Sequence, residues 1–144
     1  MFAVDTNVLI YAANASCDEH SRCRELVETW RGGATPWYLT WNIIYEFVRV
    51  TTHERVFAQP WSTGEAWTFI AGLLASPQLS LLQQTSRHAQ LAREIADELP
   101  DIQGNLIHDS HTAVLMLEHG IKKIYTRDTD FHRFPFLEII DPLR

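Results

Sequence analysis

Short apolar segments alternate with helical segments along this chain, and this alternation constrains the fold more than any other feature. The strand-like segments are residues 1–4, 36–40, 78–82, 123–126 and 138–140. The helical segments are residues 6–13, 16–31, 42–52, 62–75, 86–99 and 106–119. The resulting order β-α-α-β-α-α-β-α-α-β-β predicts an α/β domain with a mostly parallel sheet.

Signals at the helix ends support this division. Ser16 with Glu19 and Ser62 with Glu65 have the spacing of a capping box, in which each side chain bonds the other residue's backbone. Gly120 follows the last helical segment, where glycine commonly ends a helix. We therefore expect helices to begin at both serines.

Length and composition predict one domain spanning residues 1–144, without a disulfide framework. The chain has 144 residues and two cysteines, a length typical of a single core. No apolar run approaches the roughly 18 residues of a membrane span, and the first residues lack a basic signal-peptide region. Free thiols without an export signal point to the cytoplasm.

The net charge of −6, from 18 acidic and 12 basic residues, argues at first against a nucleic-acid partner. Proteins gain most of their general affinity for phosphate backbones from lysine and arginine. A net charge, however, does not show where the charges lie.

Five acidic residues fall where a parallel sheet would place a site. Asp5 ends the first strand, and Asp128 follows the fourth strand with Asp130 two residues on. Glu46 and Asp109 lie on the helices that could cover the same edge. Ligands of open α/β sheets bind beyond the carboxyl ends of the strands.

A divalent cation would explain this arrangement. Apolar neighbours predict that Glu46 and Asp109 face the buried sides of their helices, and buried carboxylates are costly without a cation. Carboxylate oxygens suit Mg²⁺ or Mn²⁺, and such ions support phosphodiester cleavage.

Each acid also has a structural interpretation. Asp5 could cap the following helix, Asp128 could begin a turn, and Glu46 could pair with Arg49 three residues on. Asp109 could cap the last long helix. These interpretations weaken when the acids are taken together.

The segments 4–9 (VDTNVL) and 126–131 (TRDTDF), with Glu46 and Asp109 between them, resemble a PIN domain. More narrowly, they resemble the VapC-type toxin ribonucleases of bacterial toxin–antitoxin operons. The resemblance extends over essentially the whole chain. It implies a three-layer α/β/α domain with a central sheet of about five strands.

The resemblance also implies roles for individual residues. It makes Asp5, Glu46, Asp109 and Asp128 the catalytic and metal-binding acids, with Asp130 a less regular fifth metal ligand. Polar side chains that would hold these carboxylates are Thr6, Asn7 and Thr126.

The implied activity is Mg²⁺- or Mn²⁺-dependent hydrolysis of RNA, without a protein nucleophile, which would block translation. The implied partners are a VapB-type antitoxin, which would present an arginine to the acids, and a second copy in a homodimer. The alternative is a non-catalytic PIN-like module that binds RNA or protein and whose acids are structural.

Basic side chains beside the acidic segments could form a positive rim despite the negative total. We take Arg49, Arg127, Arg133 and His111 as candidate RNA contacts, and Arg55 also flanks the acids. The expectation is weak general affinity for RNA, strong metal dependence and selectivity from a localised rim.

Three other features are weaker candidates. Cys17, His20 and Cys23 lack the fourth ligand of a zinc site. A phosphatase that uses the acid at position 5 would need a second aspartate at position 7, which is Asn7. Among the five tryptophans, Trp61 is the best candidate for an exposed role, since it follows a proline in a predicted loop.

Overall fold

A computed structural model describes all residues from 1 to 144. Its centre is a five-stranded sheet in the order β3-β2-β1-β4-β5 in which every strand pairing is parallel. The strands are β1 (Phe2–Val4), β2 (Trp37–Leu39), β3 (Leu79–Leu81), β4 (Lys123–Tyr125) and β5 (Glu138–Ile140). The predicted α/β class is confirmed, and β1 lies between β2 and β4.

Six α-helices connect these strands. They are α1 (Thr6–Ala13), α2 (His20–Gly32), α3 (Trp41–Thr51), α4 (Thr63–Leu74), α5 (His88–Glu98) and α6 (Leu106–Glu118). A short 3₁₀ helix (Thr129–Arg133) lies between β4 and β5. None of the helices is long and apolar enough to span a membrane.

Two hydrophobic cores lie on opposite faces of the sheet. Val4 belongs to the core built with α1 to α4, whereas Ala3 belongs to the core built with α5, α6 and the 3₁₀ helix. Successive residues of a strand point to opposite faces. The chain therefore forms three layers, with the sheet in the middle.

Of the two predicted capping boxes, only the one at Ser62 is present. Ser62 accepts the Glu65 N–H, and the Glu65 side chain accepts the Ser62 N–H, each at 3.1 Å. The prediction at Ser16 was wrong, because α2 begins only at His20. The Asn14 side chain instead accepts the Ser16 N–H at 3.1 Å, which holds this segment in a turn.

β5 has the predicted bounds, whereas the other four strands are one or two residues shorter than the apolar segments that predicted them. In two of these segments the last residue makes a side-chain contact outside the sheet. Thr40 ends the second segment, and its side chain accepts the Ile43 N–H at the start of α3. Thr126 ends the fourth, and its hydroxyl donates to Asp5. Both threonines lie at the edge of the sheet where the acidic residues lie, and Thr126 still donates its backbone N–H to the Ile140 carbonyl.

Candidate active site

The five predicted acids line one cavity of about 800 Å³ at the carboxyl edge of the sheet. Asp5 directly follows β1, and Asp128 lies three residues after the neighbouring strand β4. Glu46 lies in the second turn of α3, Asp109 in the first turn of α6, and Asp130 in the 3₁₀ helix. The sheet order thus brings together acids that are far apart in sequence.

Asp5 is buried and held by three hydrogen bonds. Its Oδ1 accepts the Thr6 N–H at 2.7 Å, which makes Asp5 the N-cap of α1. Its Oδ2 accepts bonds from the Asn7 side-chain amide and the Thr126 hydroxyl, both at 2.7 Å. The capping role and the place in the cavity therefore coexist.

Thr126 links the acids of the two central strands. Its hydroxyl donates to Asp5 and accepts the Asp128 N–H at 2.9 Å. Asn7 reinforces this link, because its amide nitrogen also lies 3.0 Å from the Thr126 hydroxyl oxygen. Each of the three predicted polar residues is thus hydrogen-bonded to Asp5: Thr6, Asn7 and Thr126. Thr6 is also bonded to Glu46.

Glu46 is exposed, so the expectation that it faces the buried side of its helix was wrong. The buried face of α3 is formed by Ile43, Ile44 and Phe47. The Glu46 carboxylate accepts the Thr6 hydroxyl at 2.9 Å and lies 3.8 Å from the Arg49 guanidinium. Glu46 therefore lies on the solvent side of the cavity, where Thr6 holds it in place.

Three of the acids approach the spacing of a cation site. Asp109, Asp128 and Asp130 can each offer one carboxylate oxygen, and these oxygens lie within 4.8 Å of one another. Asp128 also caps the 3₁₀ helix by accepting the Asp130 N–H at 2.9 Å. A set of carboxylate oxygens suits a hard divalent cation.

The raised pKa values of two cavity acids also favour a bound cation. Burial, together with the charges of the neighbouring acids, raises the pKa of Asp109 to about 7. Burial raises the pKa of Asp5 to about 6, although hydrogen bonds from Thr126 and Thr6 oppose the change. Carboxylates that resist ionisation together are those that a cation would stabilise.

The candidate RNA contacts are dispersed around the molecule. Arg49 lines the cavity, whereas Arg133 does not line it but pairs at 3.4 Å with Asp130, which does. Arg127 pairs with Glu19 at 3.1 Å and with Asp141 at 3.6 Å. His111 bonds the Asn42 side chain at 2.9 Å, and burial lowers its pKa. Arg55 lies in a separate surface depression.

Sequence reasoning missed several residues that line the cavity. Further lining residues are Asn42, Tyr45, Asn105, Leu106, His108 and Thr112. Most of them share a helical period with the acids: positions 42, 45, 46 and 49 on α3, and 105, 108, 109 and 112 around α6. Extending the helical period from each acid would have found these residues.

The structure also shows the surroundings of the weaker candidates Trp61, His20 and Cys23. Trp61 is not in an exposed role, since its ring packs against Phe47, Phe57 and Phe69. Cys23 is buried, and His20 bonds the Tyr11 carbonyl at 3.0 Å. Neither belongs to a group of side chains spaced for a metal.

Comparison with known sequences identifies one family. The family model described as PIN domain matches residues 2–137. Ribonuclease VapC43 of Mycobacterium tuberculosis is 36% identical over 143 residues, which cover 99% of this chain and 96% of the relative. Ribonuclease VapC48 of the same species is 30% identical over 138 residues, which cover 96% and 94%.

Solved structures share the fold at low sequence identity. VapBC2 from Rickettsia felis, bound to a DNA fragment from its promoter, matches with a TM-score of 0.68 at 17% identity over 96% of both chains. The VapC20 toxin of Mycobacterium tuberculosis, described as cleaving the sarcin–ricin loop, matches with a TM-score of 0.65 at 17% identity. That match covers 92% of this chain and 93% of VapC20.

Proposed function

Because the chain belongs to the PIN-domain family and, within it, to the VapC ribonucleases, we propose that it is an endoribonuclease toxin of a toxin–antitoxin pair. Its acidic cavity hydrolyses RNA phosphodiester bonds in a reaction that requires Mg²⁺ or Mn²⁺. The observation that carries this proposal is the convergence of five carboxylates in one cavity, three of them with oxygens within 4.8 Å of one another.

Asp109, Asp128 and Asp130 would hold the cation, with Asp5 at the base of the cavity. When bound, a divalent cation supplies the positive charge that polarises a phosphoryl oxygen and promotes ionisation of water. The donor set fits this role because it consists of carboxylate oxygens.

The remaining chemistry belongs to the chain's own side chains. Thr126 and Asn7 fix the Asp5 carboxylate, and Thr6 fixes Glu46 at the solvent side. From that position Glu46 can accept a proton from an attacking water, and Arg49, which lines the same cavity, would contact the substrate phosphate.

The proposed partners follow from the relatives. VapBC2 of Rickettsia felis has the same fold, and the chain's membership of the VapC ribonucleases leads us to expect that a VapB-type antitoxin binds it. An arginine of the antitoxin would match the carboxylates in charge and bidentate geometry. The toxin itself is expected to act as a homodimer.

Asp5→Asn and Asp128→Asn test the catalytic site. Each change keeps the shape of the side chain but removes a negative charge, so cleavage of a transcript pool should fall by about 100-fold or more. Asp101→Asn, an exposed acid outside the cavity, is the matched control and should cleave like the wild type. Circular dichroism would verify that all three variants fold.

Equal cleavage by the wild type and both cavity variants would show that the proposed site is wrong. If the folded wild type binds RNA but never cleaves it with either metal, the non-catalytic module would be the better account.

A further inference from the structure

Three aromatic side chains form a surface feature beside the cavity, which we name the aromatic strip: Trp41, Tyr45 and Trp67. Trp41 and Tyr45 lie one turn apart on α3 and are 43% and 62% exposed. Their ring centroids are 6.5 Å apart, and the Tyr45 ring meets Trp67 of α4 edge-on at 5.5 Å. Large exposed apolar side chains that occur together commonly mark a binding surface.

The strip is continuous with the acidic cavity. Tyr45 belongs to both, because it lines the cavity and directly precedes Glu46. Trp41 and Trp67 do not line the cavity, but both of their rings contact the Tyr45 ring. A ligand whose phosphate lies at the acids can therefore reach the strip through Tyr45.

The distribution of charge shows why such a ligand needs contacts other than those with lysine and arginine. Arg49 is the only lysine or arginine that lines the cavity, and it is paired with Glu46. Four basic residues make no ion pair within the chain, and none of them lines the cavity: Arg24, Arg55, Arg87 and Lys122. Attraction of the RNA backbone to this edge of the molecule is therefore weak.

We propose that the aromatic strip is a stacking site for an unpaired base next to the phosphate that is cleaved. This inference rests on the proposed ribonuclease function and adds a contact with a base to the contacts that the cavity makes with the phosphate. Bases of duplex RNA are stacked on each other, whereas unpaired bases are free to stack on aromatic rings. Stacking needs no positive charge, so it supplies affinity that this edge lacks.

Binding of two oligonucleotides separates stacking from phosphate contacts. One is a mixed-sequence single-stranded oligoribonucleotide, and the other has the same number of phosphates but no bases. Fluorescence anisotropy in a chelator prevents metal-dependent cleavage. The wild type should bind the complete strand about tenfold more tightly than the abasic strand, since one stacked base contributes a factor of this order.

Variants of the strip should remove this difference. Trp41→Ala and Tyr45→Ala should each weaken binding of the complete strand several-fold and leave the abasic strand unaffected. Trp41→Phe and Tyr45→Phe keep a ring and should retain most of the discrimination. Leu117→Ala, at an exposed apolar residue outside the cavity, should bind like the wild type.

Other results would overturn the inference. If the alanine variants bind both strands like the wild type but lose self-association or antitoxin binding in sedimentation velocity, the strip contacts protein and not RNA. If the wild type cleaves RNA with metal but binds both strands equally, the stacking site is wrong and the ribonuclease function stands. Absence of cleavage by the wild type would instead overturn the proposed function itself.

Discussion

Among the cavity acids, Asp109 has the most strongly raised pKa. Its pKa is raised to about 7 by burial and by Asp128, Asp5, Asp130 and Glu46. The folded state thus binds a proton that the unfolded chain has released above pH 4. Between pH 4 and 7 the unfolded state binds fewer protons, so this group makes the metal-free protein less stable as pH rises.

Asp109→Asn should therefore stabilise the metal-free protein at pH 7, by on the order of 1–2 kcal/mol after allowance for solvent screening. Urea unfolding at pH 5 and pH 7 would measure the gain, which should be larger at pH 7. Added Mn²⁺ should stabilise the wild type more than the variant, because binding is linked to folding. A variant less stable than the wild type at pH 7 would contradict this account.

The polar residues around Asp5 show how one residue fills two roles. Asp5 caps α1 and also lines the cavity, so its structural and functional interpretations were never exclusive. The same holds for Glu46, which pairs with Arg49 as a solvated helix residue would and still faces the cavity. Sequence alone could suggest both roles for each acid but could not show that they occur together.

At the scale of the element, the two serines of the capping motifs provide a matched pair. Ser62 caps α4 with both bonds of the box, whereas Ser16 lies before α2 and caps nothing. Ser62→Ala should lower the free energy of unfolding by about 1 kcal/mol. Ser16→Ala should change it by less than about 0.5 kcal/mol, as for an ordinary surface residue.

Denaturant unfolding of both variants measures this difference. Equal losses of stability in the two variants would mean that Ser16 has a capping role after all.

The sequence predicted the order of elements because strand and helix periods differ clearly, and sheet topology then brought Asp5 and Asp128 to one edge. It failed where a contact between distant segments decides the outcome. Arg127 pairs with Glu19 and Asp141, and nothing local indicates that pairing. The wrong orientation of Glu46 has a different cause, since apolar neighbours such as Phe47 do not reveal which side of a helix an acid faces.

At the scale of the whole molecule, the structure shows where the charges behind the net charge of −6 lie. Several acids are concentrated in the cavity, and most basic side chains that approach it are paired with acids. Few phosphate contacts are therefore available, and each contributes about −0.7 to the logarithmic salt slope for a single strand.

We expect RNA binding to depend weakly on salt, with a slope of about −1 to −2. A titration of anisotropy against sodium chloride concentration measures it. A steep slope with strong binding in the absence of metal would contradict the charge distribution described above.

Cleavage of RNA by protein that has been stripped with a chelator tests the central claim most directly. The stripped wild type should be inactive, and Mn²⁺ or Mg²⁺ should restore cleavage, whereas Asp128→Asn should remain inactive over the same range of metal concentrations. Cleavage that persists in the chelator, or metal-restored cleavage that is equal in the wild type and the variant, would show that the acidic cavity is not the site of the reaction.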